Sequence, residues 1–269
     1  MLFLKLGGSL ITDKTQDNTT RPDVIARLAK EIAEYAAQPN AEPLVLGHGS
    51  GSFGHAAGKK YGTRGGVHTP DEWRGFAHVS VAAQRLNRIV ADALHEAGAP
   101  VLSICPSASA KCADGKIIHL DLAPIRHALA HGLLPLVMGD VAFDETRGGT
   151  IVSTEEVFAF LAEHLPVRRI LLAGETDGVW DSAKNIVPRI TAQNWPALSE
   201  AVGGSRGADV TGGMAAKVRD TLSLVSSHPG LTACIFSGLV DGNVAGALRG
   251  ESLGTMIEKD DGRQTIDDA

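Results

Sequence analysis

The stretch PLVLGHGSGSFGH, residues 43–55, decides the fold class. Its apolar first half predicts a buried strand, Pro43–His48, and the glycines that follow predict a tight loop that opens a helix. The same alternation of a short apolar run with a segment of helical period continues along the chain, which indicates βαβ units. It predicts further strands at Leu2–Leu6, Pro100–Ile104, Leu134–Met138, Arg169–Ala173, Thr232–Phe236 and Thr255–Glu258, and helices at Pro22–Ala37, Thr69–Ala97, Leu122–His131, Thr154–Leu165 and Gly212–Ser226. We therefore expect one continuous α/β domain over residues 1–269, with a mostly parallel sheet.

The glycine loop in this stretch matches two known motifs incompletely. Its glycines have the G-x-G-x-x-G spacing of dinucleotide-binding loops, but the acidic residues at the required distance, Asp71 and Glu72, fall in the first turn of a predicted helix. His55 and Ala56 occupy the positions where a P-loop needs Lys and Ser or Thr. What remains is a phosphate-binding loop with His55 at its rim, where the imidazole can donate to a phosphate oxygen. The alternative is a histidine that only caps the helix.

Composition excludes several classes of protein. Of the 269 residues, 43% are hydrophobic and 21% are charged, which is typical of a globular chain. The net charge of −6, without a basic tail, argues against nucleic acid as a partner. The three cysteines form no C-x-x-C pair, and no run approaches the roughly 18 apolar residues of a membrane span. Lys5 interrupts the apolar N-terminus and no cationic segment precedes it, so we predict no signal peptide and expect a cytoplasmic protein.

Other polar, glycine-rich segments follow predicted strands, which is where open α/β sheets bind ligands. In Lys5–Ser9, two glycines let backbone amides approach an anion, and a lysine inside the strand needs a charged ligand or partner. Met138–Asp140 ends in a carboxylate that can position a lysine or a metal-bound water. Gly174–Trp180 contains an Asp-Gly turn. Towards the C-terminus, Gly213 and Lys217 lie in the first turns of a helix whose N-terminal amides can bind phosphate.

Lys14 and Lys217 each also have an ordinary structural explanation. Lys14 lies in a polar loop, where a lysine is usually only solvated. Lys217 lies on a predicted amphipathic helix capped by Thr211, and its charge can equally face water there. The association of three lysines with three glycine loops favours a phosphate site over coincidence.

Together these motifs resemble the amino acid kinase superfamily over almost the whole chain. The motifs that occur in the family's order are Lys5–Ser9, Gly49–His55, Met138–Val141, Thr176–Trp180 and Val210–Lys217. Within the superfamily, the pairing of Gly51–His55 with the helical segment Gly75–Asn87 is similar to isopentenyl phosphate kinases, with fosfomycin-type kinases as close relatives. Isopentenyl phosphate kinases transfer the γ-phosphate of ATP to isopentenyl phosphate. The resemblance implies a three-layer αβα sandwich with a central, mostly parallel sheet, and a homodimer.

The resemblance also implies roles for individual residues. Catalysis would depend on His55, Lys14 and Lys5, with Lys14 stabilising the transition state. The ATP site would be formed by Lys5, Leu6, Gly7, Gly8, Ser9, Gly51, Asp177, Gly213 and Lys217. The acceptor phosphate would be held by Ser50, Gly54, His55, Gly139 and Asp140. Mg²⁺ would be bound mostly through water and phosphate oxygens, and the N-terminal half of the domain would hold the acceptor and the C-terminal half ATP. Trp180 stands where such kinases more usually have a tyrosine.

Other functions stay open at this point. An acylphosphate-forming amino acid kinase would need cationic and amide groups for its substrate, whereas the helix Thr69–Ala97 presents an apolar stripe. The stripe consists of Phe76, Val79, Ala83, Leu86 and Val90. It either floors a pocket for a five-carbon tail or packs into the core. A non-catalytic nucleotide sensor is disfavoured because Lys5, Lys14, His55 and Lys217 are all present.

Overall fold

The computed structural model describes residues 1–203 and 213–260, apart from the side chains of residues 55, 56, 200 and 201. Its strands within these residues are Leu2–Leu6 (β1), Leu44–His48 (β2), Val101–Ser103 (β3), Lys111–Ala113 (β4), Lys116–His119 (β5), Leu134–Met138 (β6), Asp140–Asp144 (β7), Gly148–Val152 (β8), Arg169–Gly174 (β9), Arg189–Ile190 (β10), Thr232–Ser237 (β11) and Thr255–Ile257 (β12). Its helices there are Gly8–Ile11 (α1), Pro22–Ala36 (α2), Gly51–Tyr61 (α3), Pro70–Glu96 (α4), Ala123–Ala130 (α5), Thr154–Ala162 (α6), Trp195–Gly203 (α7), Gly213–Ser227 (α8) and Asn243–Arg249 (α9).

Eight of these strands form the main sheet, in the order β10-β12-β11-β9-β1-β2-β6-β3. Every neighbouring pair in it is parallel except β11 with β12. The central strand β1 pairs with β2 on one side and β9 on the other, so that Leu6 lies opposite both His48 and Ala173. The carboxyl ends of β1, β2 and β9 therefore meet at one edge of the sheet, which is where the glycine-rich segments begin.

Helices cover both faces of the sheet because its strands are apolar on both sides. Alternate residues of β1 point into different cores: Leu2 and Leu4 pack with helices α2, α4 and α9, whereas Phe3 packs with α5, α6 and α8. The Phe3 ring lies 4.9 Å from that of Phe158 in α6, centroid to centroid. The predicted three-layer αβα architecture with a mostly parallel sheet is confirmed.

Local sequence signals predicted where helix α4 begins and ends. Helix α4 begins after Thr69, whose side chain accepts from the Glu72 amide while the Glu72 carboxylate accepts from the Thr69 amide, as the predicted capping box requires. The helix ends at Glu96, and Gly98, with φ of +89°, turns the chain after it. Gly148 and Gly149 begin β8, which pairs antiparallel with β7.

A second sheet was not predicted from the sequence. Strands β5, β4, β7 and β8 form it, in that order, and the β7–β8 hairpin leaves the main sheet directly after β6. Strands β4 and β5 have only three and four residues, too few for a periodic pattern to be recognised. The predicted cap Thr211 lies outside the described residues. All three cysteines are free thiols, with Cys112 and Cys234 buried.

Candidate active site

Two glycine loops meet where the carboxyl ends of β1 and β2 lie side by side. We call them the first glycine loop, residues 7–9, and the second glycine loop, residues 49–54. Their backbones are in direct contact. A Cβ atom added at Gly8 would lie 2.4 Å from the nitrogen of Gly51, and one added at Gly49 would lie 2.7 Å from the nitrogen of Gly8. No side chain fits at such distances, so glycine at positions 8 and 49 is required for the packing of one loop against the other.

The sequence had suggested a different reason for the glycines, namely close approach of their amides to an anion. The structure shows that two of these amides are already used by the sheet. The Gly7 amide donates to the carbonyl of Ala173 at 2.8 Å, and the Gly49 amide donates to the carbonyl of Leu6 at 2.9 Å. Helix α1 starts at Gly8, and its first-turn amides have no acceptor within the helix. Anion binding at the first glycine loop stays a prediction.

Lys5 is a buried cation directly beneath the two loops. It lies in the middle of the sheet and is only 8% exposed. A charge at that depth needs a partner, and its ammonium group forms an ion pair with the carboxylate of Glu155. Glu155 lies in the first turn of α6, where the helix dipole also favours a negative charge.

Lys217 belongs to the same electrostatic cluster. Partial burial disfavours the charged form of Glu155, but the positive charges of Lys5 and, more weakly, of Lys217 outweigh it and hold the pKa of this carboxyl below its usual value. The structure thus brings together two lysines that are 212 positions apart in the sequence, with one carboxylate between them. Glu155 was missed in the sequence analysis, although an acidic residue opening a helix at this sheet edge was a usable signal.

The second glycine loop opens helix α3, as predicted. Ser50 is the residue before the helix, and a Cβ added at Gly54 would lie 2.3 Å from the Ser50 Cβ, so glycine at position 54 makes room for this serine. His55 lies in the first turns of α3, but its side chain is outside the described part of the structure. The predicted roles of Ser50, Gly54 and His55 stay predictions.

His48, at the end of β2, is a second group that the sequence analysis did not single out. It is 1% exposed; its Nδ1 donates to the Gly49 carbonyl at 3.1 Å, and its Nε2 accepts from the Asn87 side-chain amide at 3.1 Å. The carbonyl of His48 also accepts from the hydroxyl of Thr154, at 2.6 Å, at the start of α6. Burial lowers the pKa of His48 to about 4, although its bond to Gly49 opposes the shift, and the nearby charge of Lys5 lowers it further. The imidazole is therefore neutral at pH 7 and ties β2 to α4.

Lys14 is exposed in the loop that follows α1. The base of this loop is closed by an isolated antiparallel bridge between Thr12 and Thr20. Arg21, just after the loop, forms an ion pair of 2.8 Å with Glu175, which follows β9. The loop carrying Lys14 therefore starts and ends beside the first glycine loop.

Gly139 lies between β6 and β7, at the same edge of the sheet. The side chain of Asp140 beside it points into the protein, where it accepts from the amides of Ser107 at 3.2 Å and Val141 at 2.8 Å. Burial raises the pKa of Asp140, and its hydrogen bonds only partly oppose that. Both carboxylate oxygens thus accept a hydrogen bond from a protein amide, and the roles predicted for Gly139 and Asp140 stay predictions.

The segment after β9 contains the predicted turn. Asp177 is exposed there, and its Oδ1 accepts from the indole nitrogen of Trp180 at 2.7 Å, while the Trp180 ring stays 47% exposed. Gly213 begins α8 with φ of +66°, a conformation that favours glycine. Asp177 follows β9 and Gly213 precedes β11, so both residues belong to the C-terminal half of the chain.

A mostly parallel sheet thus carries two touching glycine loops over a buried lysine. The family model for the amino acid kinase family matches residues 1–237, and the chain belongs to that family. Isopentenyl phosphate kinases of Haloferax volcanii and Methanothermobacter thermautotrophicus are 37% and 33% identical to it, each alignment covering 96% of this chain and 98% of the relative. The chain is therefore a kinase of the isopentenyl phosphate kinase group.

The fold agrees with that assignment. A crystal structure of isopentenyl phosphate kinase superposes with a TM-score of 0.79 at 28% identity, covering 96% of this chain and 99% of the other. Carbamate kinase from Giardia lamblia superposes with a TM-score of 0.68 at 15% identity, covering 96% and 98%, and shares the fold alone.

Proposed function

We propose that this kinase transfers the γ-phosphoryl group of ATP directly, by in-line displacement, to the phosphate of isopentenyl phosphate, with isopentenyl diphosphate as the product. The observation that carries the proposal is the contact between the two glycine loops above Lys5. A phosphate group on each loop would place donor and acceptor side by side. The choice of acceptor follows from the names of the relatives.

The cluster at the sheet edge suits this chemistry. An acceptor phosphate is already ionised at neutral pH, so the reaction needs positioning and charge neutralisation rather than a general base. Lys5, Lys217 and Glu155 together carry one net positive charge, and we assign both lysines to the phosphates of ATP. Lys14 would approach the transferred group from its exposed loop, and His55 would donate to the acceptor phosphate.

The remaining residues are assigned either to the ATP side or to the acceptor side of the site. The ATP side would be lined by Leu6, Gly7, Gly8, Ser9, Gly51, Asp177 and Gly213. The acceptor side would be lined by Ser50, Gly54 and Gly139, with Asp140 bracing the segment from inside. We also propose that the chain acts as a homodimer.

Magnesium would enter with ATP as part of the substrate and neutralise charge on its phosphates. In residues 1–203 and 213–260 no three acidic, histidine or cysteine side chains converge in a way that could hold a metal ion. The ligands of the ion would be mainly phosphate oxygens and water. No helix in the described residues is long and apolar enough to cross a bilayer.

The proposal is tested by measuring ATP consumption with isopentenyl phosphate, with fosfomycin, with glutamate, and without an acceptor. We expect turnover with isopentenyl phosphate to exceed that with the other acceptors by at least a hundredfold. A preference for fosfomycin would identify the phosphonate kinase alternative, and a preference for glutamate would identify an acylphosphate-forming enzyme. ATP binding without any turnover would indicate a nucleotide sensor.

A further inference from the structure

One hydroxyl group joins the two glycine loops. Thr12 lies directly after α1 and is fully buried. Its Oγ1 donates to the carbonyl of Gly8 at 2.7 Å and accepts from the amide of Ser52 at 3.0 Å. Gly8 belongs to the first glycine loop and Ser52 to the second, so a single side chain spans from the segment after β1 to the segment after β2.

The surroundings of this hydroxyl leave it little freedom. The Ser52 amide lies in the first turn of α3, where it has no acceptor within the helix, and Ser50 provides no side-chain cap. Gly51 has a φ of +49°, and a Cβ added there would lie 2.0 Å from the Thr12 Oγ1. The hydroxyl therefore caps α3 from outside the helix, at a spacing that any side chain at position 51 would disrupt.

We propose that Thr12 is a positioning residue that sets the distance between the donor and acceptor phosphates. The inference rests on the proposed function, in which the first glycine loop holds the transferred group and the second holds the acceptor. Productive transfer needs the reacting atoms within about 3–3.5 Å, and a misplacement of about 1 Å costs about a hundredfold in rate. Both hydrogen bonds of the hydroxyl are made to protein groups. Losing it should therefore affect the alignment of the two phosphates more than the binding of either substrate.

The test compares Thr12→Val, which is nearly isosteric but lacks the hydroxyl, with Thr12→Ser, which keeps it. We expect Thr12→Val to lower kcat by about tenfold to a hundredfold, with KM for ATP and for isopentenyl phosphate each within threefold of wild type. Thr12→Ser should restore kcat to within threefold. Thr12→Ala is a second variant without the hydroxyl, in case the valine form does not fold, and melting curves confirm that each variant is folded at the assay temperature.

Thr19→Val is the matched control. Among the residues that the structure describes, its hydroxyl, in the same loop, bonds only the carbonyl of Asp17, at 3.1 Å, while the Thr19 backbone keeps its contacts with the Ser52 hydroxyl. We expect kcat of this variant to match wild type. Unchanged kcat in folded Thr12→Val, or Thr12→Ser as impaired as Thr12→Val, would overturn the proposal.

A readout without turnover separates this inference from the proposed function. Hydrogen–deuterium exchange of residues 49–54 is followed with and without ATP and magnesium. We expect ATP to slow exchange at least threefold in wild type and Thr12→Ser, and to have no effect in Thr12→Val. An equal ATP response in Thr12→Val would overturn the role of Thr12 whatever the acceptor is, whereas a wild type that ignores isopentenyl phosphate would overturn only the proposed function.

Discussion

Single residues carry most of the chemistry expected of this site. His55 follows the second glycine loop, and its side chain is assigned to the acceptor phosphate by its place in the sequence alone. We predict that His55→Ala lowers kcat by about 10²–10³, the usual cost of losing one donor to a developing charge. Steady-state kinetics on the folded variant tests this. Near-normal turnover would instead make His55 a residue that only caps α3.

Lys217 allows a prediction that distinguishes the two substrates. Its charge acts on Glu155, which pairs with Lys5 beneath the first glycine loop, so we place it on the ATP side. We expect Lys217→Ala to raise KM for ATP by at least tenfold and to leave KM for the acceptor within threefold. Varying each substrate in turn measures both constants. A rise confined to the acceptor KM would place Lys217 on the acceptor side of the site instead.

His48 gives the free energy of unfolding a pH dependence of known sign. Its pKa is about 4 in the folded protein, because of burial, against 6.5 when unfolded, so the unfolded chain binds a proton first as the pH falls. Stability is thus fully present above pH 6.5 and is lost as the pH falls towards 4. From pH 7 to pH 5 the loss from this one group is about 2 kcal/mol.

Urea denaturation of wild type and His48→Gln at both pH values measures this contribution. The glutamine variant cannot titrate, so its free energy of unfolding should depend less on pH, by about 2 kcal/mol over this range. Asn87→Leu is a useful companion, since it leaves the histidine in place without its partner. An equal pH dependence in wild type and His48→Gln would show that His48 is protonated with its ordinary pKa.

At the scale of elements, the two ends of the apolar stripe of α4 have different surroundings. Leu86 is fully buried and packs with β1 and α2 in the main core, as the alternative interpretation of the stripe required. Phe76 is only partly buried; its ring lies 5.2 Å from that of Trp73 and 5.4 Å from that of Phe143, on the β7–β8 hairpin. This aromatic cluster joins the start of α4 to the hairpin that follows Gly139. It is the part of the stripe that we assign to the acceptor's tail.

The two ends of the stripe therefore respond differently to truncation. We predict that Phe76→Ala raises kcat/KM for geranyl phosphate relative to isopentenyl phosphate, since each methylene accommodated contributes about 0.8 kcal/mol. Leu86→Ala should leave that ratio unchanged and cost about 2–5 kcal/mol of stability. The two kcat/KM values give the substrate ratio for each variant, and melting curves measure the loss of stability. An unchanged ratio in Phe76→Ala would remove α4 from the acceptor pocket.

At the scale of the whole molecule, the proposed dimer needs an apolar surface. Strand β3 is an edge of the main sheet and packs beside α4, and Leu102 of β3 and Ile89 of α4 are exposed by 41% and 40%. We predict that Ile89→Lys combined with Leu102→Lys converts a dimer into a monomer. Light scattering after gel filtration measures the mass. Ile118→Lys, at an exposed position of the other sheet, should leave the mass unchanged; a dimeric double variant would place the interface elsewhere.

The sequence by itself determined the local structure of the chain. Apolar runs, glycines and capping residues act within a few positions of one another, so they located β1, β2, α4 and the order of the βαβ units. Strands of three or four residues, such as β4 and β5, have no pattern long enough to be recognised, so the second sheet was not predicted.

Only the tertiary structure decided what the glycines and charges touch. Gly8 is required because the second glycine loop packs against it, and Lys5 is tolerated in the sheet because Glu155, 150 positions later, neutralises it. Asp140 accepts hydrogen bonds from the amides of Ser107 and Val141, partners that the sequence did not indicate. Such pairings depend on which strand ends lie side by side, and sheet order follows from burying both faces of the whole sheet, a property that no single segment of the sequence contains.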